Sequence, residues 1–180
     1  MKVFIAGPRA ISALDAPVQE KLNSIYEKKY TVLVGDASGI DSAVQKFYCD
    51  LGYRNVVVFA SDGRARNNIG GWEIRKIDVP NRTKGFNYYA EKDKAMADDA
   101  DYGFMIWNGE SKGTLSNTIN LLNAGKQTVV YLIPAKSFYS VDDIDSIHYL
   151  ISLCSSNTRL LFERLSKPTV ANAFQQISLF

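Results

Sequence analysis

The chain is poor in the residues that carry most nucleophilic and metal chemistry. Histidine occurs once, at His148, and cysteine twice, at Cys49 and Cys154. A single late histidine allows no Ser-His-Asp or Cys-His arrangement, and no metal-ligand spacing occurs. The two cysteines lie far apart and form no CxxC pair, which reads as two reduced thiols in a cytoplasmic protein. No apolar run is long enough for a transmembrane helix. Neither the lysine-bearing P-loop pattern nor GxGxxG is present. Repeats and low-complexity tracts are absent as well. The net charge of +2 gives no global push toward nucleic acid or membrane.

What is present is an alternation of short apolar runs and amphipathic segments. The 180 residues suit one domain with a sizeable core and an appendage. Met1 to Pro8 is too short and too soon followed by Arg9 and Asp15 for a signal peptide, so Lys2 to Ala6 reads as a first strand. Helical spacing follows over Pro17 to Lys28, with Asp15 as its N-cap. Tyr30 to Val34 is a second strand, Gly39 to Leu51 a helix and Asn55 to Phe59 a third strand. Phe86 to Asp99 is a helix leading into a strand at Tyr102 to Trp107. Thr114 to Asn123 and Gln127 to Ile133 complete the series. Near-continuous apolar strands separated by helices imply an α/β three-layer domain, a parallel sheet of about five strands covered on both faces.

Two segments break the pattern. Residues 60–85 are rich in arginine and lysine around Gly70-Gly71-Trp72. They read as a functional loop or a hairpin excursion. Interleaved Asp62, Glu73 and Asp78 make a solvated loop or subunit contact the stronger reading than a nucleic-acid site. Residues 135–180 read as a C-terminal helical tail that is not an independent domain, leaving 1–134 as the main domain. Its apolar residues, from Leu160, Leu161, Phe162 and Leu165 to Val170, Phe174, Ile177, Leu179 and Phe180, suggest a homodimer contact.

Three loops carry the functional expectation, each following a strand. They are Ala6-Gly7-Pro8-Arg9, Gly35-Asp36-Ala37-Ser38-Gly39-Ile40-Asp41 and Asn108-Gly109-Glu110-Ser111-Lys112-Gly113-Thr114. In an open α/β sheet the strand C-termini share one edge, so these loops converge on one crevice. The third opens a helix, whose free N–H groups and dipole suit an anion. Arg9 is either a phosphate clamp or a solvated loop arginine. Asp36, just past a strand end, is placed to accept from sugar hydroxyls, whereas Asp41 doubles as a first-turn acid that complements its helix dipole. Ser111 and Thr114 can cap the helix or bind phosphate. Trp107 reads as core, and one of Tyr88 and Tyr89 faces the crevice.

Gly39-Ile40-Asp41-Ser42-Ala43 resembles the GID…A element of DNA-processing protein A (Smf) domains, and Lys112-Gly113-Thr114-Leu115 their SGTL loop. The run from Glu91 to Thr114 is similar to the lonely-guy phosphoribohydrolases. Together they suggest the SMF/DprA–LOG (SLOG) superfamily over Met1 to Pro134. The resemblance implies a Rossmann-like nucleotide-binding domain and, because related domains often pair, a homodimer. It places Asn117 at the position of the lonely-guy catalytic glutamate and Lys92 at that of an arginine. An amide cannot act as general base, so catalysis would need Glu110, Asp36 or Asp41 instead.

The expected function is binding of a nucleotide or nucleotide-derived small molecule at Gly7, Arg9, Gly35, Asp36, Ser38, Gly39, Asp41, Lys92, Gly109, Ser111, Gly113, Thr114 and Asn117. An N-glycosidic hydrolase or transferase is one alternative and a DNA-binding module another. Mixed charge and near-neutral balance disfavour nucleic acid as the partner. No metal, cofactor or membrane is expected.

Overall fold

The computed structural model describes residues 1–80 and 83–167. Its centre is one seven-stranded sheet of order β4-β3-β2-β1-β5-β6-β7. The strands are β1 (Lys2–Ala6), β2 (Thr31–Gly35), β3 (Val56–Ser61), β4 (Glu73–Ile77), β5 (Tyr102–Trp107), β6 (Gln127–Leu132) and β7 (Ser137–Val141). All neighbours pair in parallel except β7, which runs antiparallel to β6.

Alternate residues of the strands feed two cores. Val3, Ile5, Val32, Val34, Val58 and Ile106 pack toward α1 (Ala16–Glu27) and α2 (Ile40–Asp50) through Val18, Leu22, Ile40, Val44 and Tyr48. On the other face, Phe4, Leu33, Phe59, Met105 and Trp107 meet α3 (Gly85–Asp99) and α4 (Lys112–Asn123) through Met96, Ala97, Leu115 and Leu121. A sheet buried on both faces needs apolar residues at every strand position, which is why β1, β2, β3 and β5 read so plainly. Trp107 is fully buried, as expected.

Seven strands replace the expected five or so, for two reasons. The 60–85 excursion is no hairpin; it carries β4 as a parallel edge strand. Its sequence, Glu-Ile-Arg-Lys-Ile, is charged because an edge strand stays wet. The connection into β4 is tied down by buried polar groups. Trp72 Nε1 donates to the Tyr53 carbonyl at 2.7 Å, and Gln45 donates to the Gly35 carbonyl at 2.9 Å while accepting from Ile69 N–H at 3.0 Å.

The second addition is β7, so the segment after Pro134 is more than a helical appendage. It continues into α5 (Ile144–Ser152), opened by a capping box between Asp143 and Ser146, and α6 (Ser156–Ser166). Ile147, Leu150 and Phe162 join the core, Leu161 and Leu165 pack against it, and Leu160 is exposed. Val170, Phe174, Ile177, Leu179 and Phe180 lie outside the described residues. Asp15 stands at the α1 N-cap position and its carbonyl accepts from Gln19 N–H at 3.0 Å, but its carboxylate, instead of capping the helix, accepts from Tyr131 O–H at 2.9 Å.

Candidate functional site

The chain runs β1 to β4 outward on one side of the sheet, then returns to place β5 on the other side of β1. The loops leaving β1 and β5 therefore diverge, and α/β sheets hold ligands at such a switch point. A cavity of about 660 Å³ lies there, lined by all three glycine-containing loops and by one face of α3. Two glycines make the convergence possible. A Cβ on Gly7 would lie 2.6 Å from the Ile106 carbonyl, so only glycine lets the first loop approach β5. Gly39 has φ +76°, and a Cβ there would strike the carbonyls of Pro8 and Arg9. Ile40 N–H donates to the Pro8 carbonyl at 3.1 Å and joins the first two loops.

The third loop is partly self-satisfied. Asn108 Oδ1 accepts from the N–H groups of Glu110 and Ser111, at 3.1 and 2.8 Å. Ser111 caps α4 by accepting from Thr114 N–H at 3.4 Å, and Trp107 Nε1 donates to the Ser111 carbonyl at 3.1 Å. Helix geometry leaves the N–H groups of Lys112 and Gly113 without intrahelical partners. The N–H groups left open are thus fewer than the whole 109–114 loop offers. A Cβ on Gly113 would meet nothing within 4 Å, so the first turn faces open space. One turn further, Asn117 lines the cavity with its Oδ1 buried and unpartnered among the described residues.

The cavity floor is ionic. Lys92, 3% exposed, donates to Asp93 at 2.7 Å. Asp41 lies beside Lys92 across the bare backbone of Gly35, where a Cβ would be 2.9 Å from Lys92 Nζ and in collision with the Asp41 carboxylate. Asp41 also accepts from Ala37 N–H at 3.2 Å. Burial pushes the Asp41 carboxyl up to about 6, against the pull of Lys92. Burial draws Lys92 down, but the negative charges of Asp93, Asp41 and Asp36 outweigh it and leave its pKa raised.

Asp36, expected to face a sugar, does not line the cavity and is engaged by Arg66. Its carboxylate is buried against Arg66, at 2.7 Å from Nη2 and 3.1 Å from Nε, and also accepts from Arg66 N–H at 3.1 Å. Burial alone would raise its pKa; the Arg66 hydrogen bonds and the charges of Lys92 and Arg66 hold it below the usual range. Gly35, Asp36, Ser38, Gly39 and Gly109 do not line the cavity, whereas Gly7, Arg9, Asp41, Lys92, Ser111, Gly113, Thr114 and Asn117 do. Glu110 lines it from an exposed position at the rim.

The mouth is framed by stacked cations and rings. Arg9 and Arg66 lie over the Tyr89 ring, at 4.4 and 4.7 Å from its centroid. Lys112 stands 3.9 Å from the Phe86 centroid. Phe86 and Asp93 are not among the residues the sequence points to, and Arg66 comes from the basic 60–85 excursion rather than from the three loops. The signal available was the α3 spacing, with Phe86, Tyr89, Asp93 and Met96 recurring at three- and four-residue steps on the cavity side.

No protein-family model matches the chain, and no curated protein matches it in sequence. A solved structure does: DNA processing protein A from Helicobacter pylori, described for its mode of binding single-stranded DNA. The match has a TM-score of 0.58 at 12% identity and covers 92% of this chain and 80% of that one. Identity this low shows the fold alone, a DNA-processing-protein-A-like α/β fold. It also overturns the argument from charge against nucleic acid, because a protein of this architecture binds single-stranded DNA. Net charge averages over a whole surface and does not register that Arg9, Arg66 and Lys112 stand over Tyr89 and Phe86, two rings that line the cavity.

Proposed function

We propose that this chain binds a nucleotide in the crevice between β1 and β5. The phosphate rests on the open N–H groups of Lys112 and Gly113, with Arg9 as the nearby cation, and the sugar and base extend toward Asn117 and Asp41. The observation that carries the reading is Asn117 Oδ1, a buried acceptor without a donor in the same cavity as a helix start. Leaving such an atom empty costs about 1–3 kcal/mol, so a turn of the amide that brings the oxygen to a ligand N–H or O–H is favoured.

A second reading is supported by the Helicobacter pylori neighbour: the nucleotide unit belongs to single-stranded DNA. Tyr89 and Phe86, flanked by cations, have the composition of a sequence-tolerant stacking platform. Titration calorimetry with AMP and with a deoxythymidylate oligomer separates the two. AMP binding that is lost in Gly113→Asp, with an unchanged melting curve, supports the first reading. Salt-sensitive binding of the oligomer without AMP binding selects the second. No binding of either refutes both.

A further inference from the structure

A second cavity, of about 430 Å³, adjoins the first. The two share Asn108 and Glu110, so the turn Asn108-Gly109-Glu110 is the partition between them. That partition is rigid. Asn108 holds two N–H groups of the turn, and Thr158 Oγ1 of α6 donates to the Gly109 carbonyl at 2.6 Å. Gly109 sits at φ +81° with Leu132 and Cys154 behind it, within 3.7 Å of where a Cβ would point. Beyond the partition the slot is lined by Leu132, Pro134, Ala135, Tyr139, Leu153 and Cys154, with one ring and the hydroxyl of Ser155. Each cavity alone is large enough for a small-molecule site, and mostly apolar linings with few polar groups are usual for them.

On the reading that a nucleotide occupies the first cavity, we infer that the second receives another nucleoside, so that the ligand is a dinucleotide with two riboses joined through their phosphates. The phosphates lie at the α4 start, next to the partition. Glu110, an exposed residue that lines both cavities, accepts from the second ribose diol, as an acid near a strand end does in dinucleotide sites. The second base enters the slot beside Tyr139. A deoxy strand offers Glu110 no free diol, so a free 5′–5′-linked ribodinucleotide is the occupant.

The probes are AMP, ADP, diadenosine 5′,5′-pyrophosphate and the deoxy dinucleotide d(pApA). Calorimetry should show diadenosine pyrophosphate binding about tenfold tighter than ADP, the scale of one added stacked base. Ala135→Trp fills the slot from an exposed turn; it should remove that gain and leave AMP affinity unchanged. In a Cys49→Ser background, diadenosine pyrophosphate should slow iodoacetamide alkylation of Cys154, and AMP should not. If AMP binds but diadenosine pyrophosphate gains nothing over ADP, or leaves Cys154 alkylation unchanged, the second subsite is refuted and the first stands. If d(pApA) matches diadenosine pyrophosphate, the free dinucleotide is refuted in favour of a strand. If none of the probes binds, the nucleotide reading itself falls.

Discussion

Asp41→Asn tests the ionic floor of the cavity. Asp41 is fully buried, and its carboxyl is raised from an ordinary 3.8 to about 6. A carboxyl whose folded pKa is raised contributes stability that is full below the unfolded value. That contribution is lost as pH rises through the folded value. A rise of about two pH units corresponds to about 3 kcal/mol. Asparagine has nearly the same shape and no titration. The difference in unfolding free energy, variant minus wild type, should therefore grow in the variant's favour by up to about 3 kcal/mol between pH 4 and pH 8. Taking the difference cancels the opposite contribution of Asp36, whose carboxyl is held low by Arg66, because both proteins keep it. Urea unfolding at a series of pH values gives the curve. A difference that stays flat from pH 4 to pH 8 would show that Asp41 titrates as an ordinary carboxylate, and the description of a dry, mutually repelling floor would fail. The same variant removes one negative charge beside Lys92 and Asp93. Nucleotide affinity at pH 8 should rise in it and lose its pH dependence.

Arg66→Met strips two hydrogen bonds from buried Asp36 and should cost about 2 kcal/mol, discounted because the arginine is itself part-exposed; the loss should shrink once pH falls below the ordinary carboxyl value of 3.8 and Asp36 protonates, read by urea unfolding at pH 7 and about pH 3. With an amide at Asn117, nucleoside monophosphates should release no free base during incubation, followed by chromatography; rapid release that disappears in Glu110→Gln would return the N-glycosidic reading. Light scattering of the full chain should give twice the 20.1 kDa chain mass, and a monomer at high concentration would refute the homodimer. A shortened chain ending at Lys167 then reports whether the last residues carry the contact, whereas ending at Ser140 would remove the core residues Ile147, Leu150 and Phe162 and unfold the sheet edge.

The elements that were legible share a physical cause: their sequence pattern follows from burial on both sides. Strands β1, β2, β3 and β5 are apolar throughout because helices cover both faces, and the glycine-bearing loops follow them because parallel strands end at one edge. The missed strands lacked that cause. β4 is wetted along its free edge, and β7 returns antiparallel after a short 3₁₀ turn at Ile133–Ala135. At the site, backbone requirements were legible in Gly7 and Gly39, but the partners of charged side chains were not. Asp36 was open to a sugar by its position alone. It is closed because Arg66, thirty residues on, folds back over it once Gln45 and Trp72 have fixed the intervening loop. Asp41 serves its helix start through Ala37 N–H, as a first-turn acid should, yet it also faces Lys92 across Gly35. One carboxylate therefore stands both in the first turn of α2 and on the cavity wall, because a helix N-terminus placed at a switch point puts its first acid against the crevice.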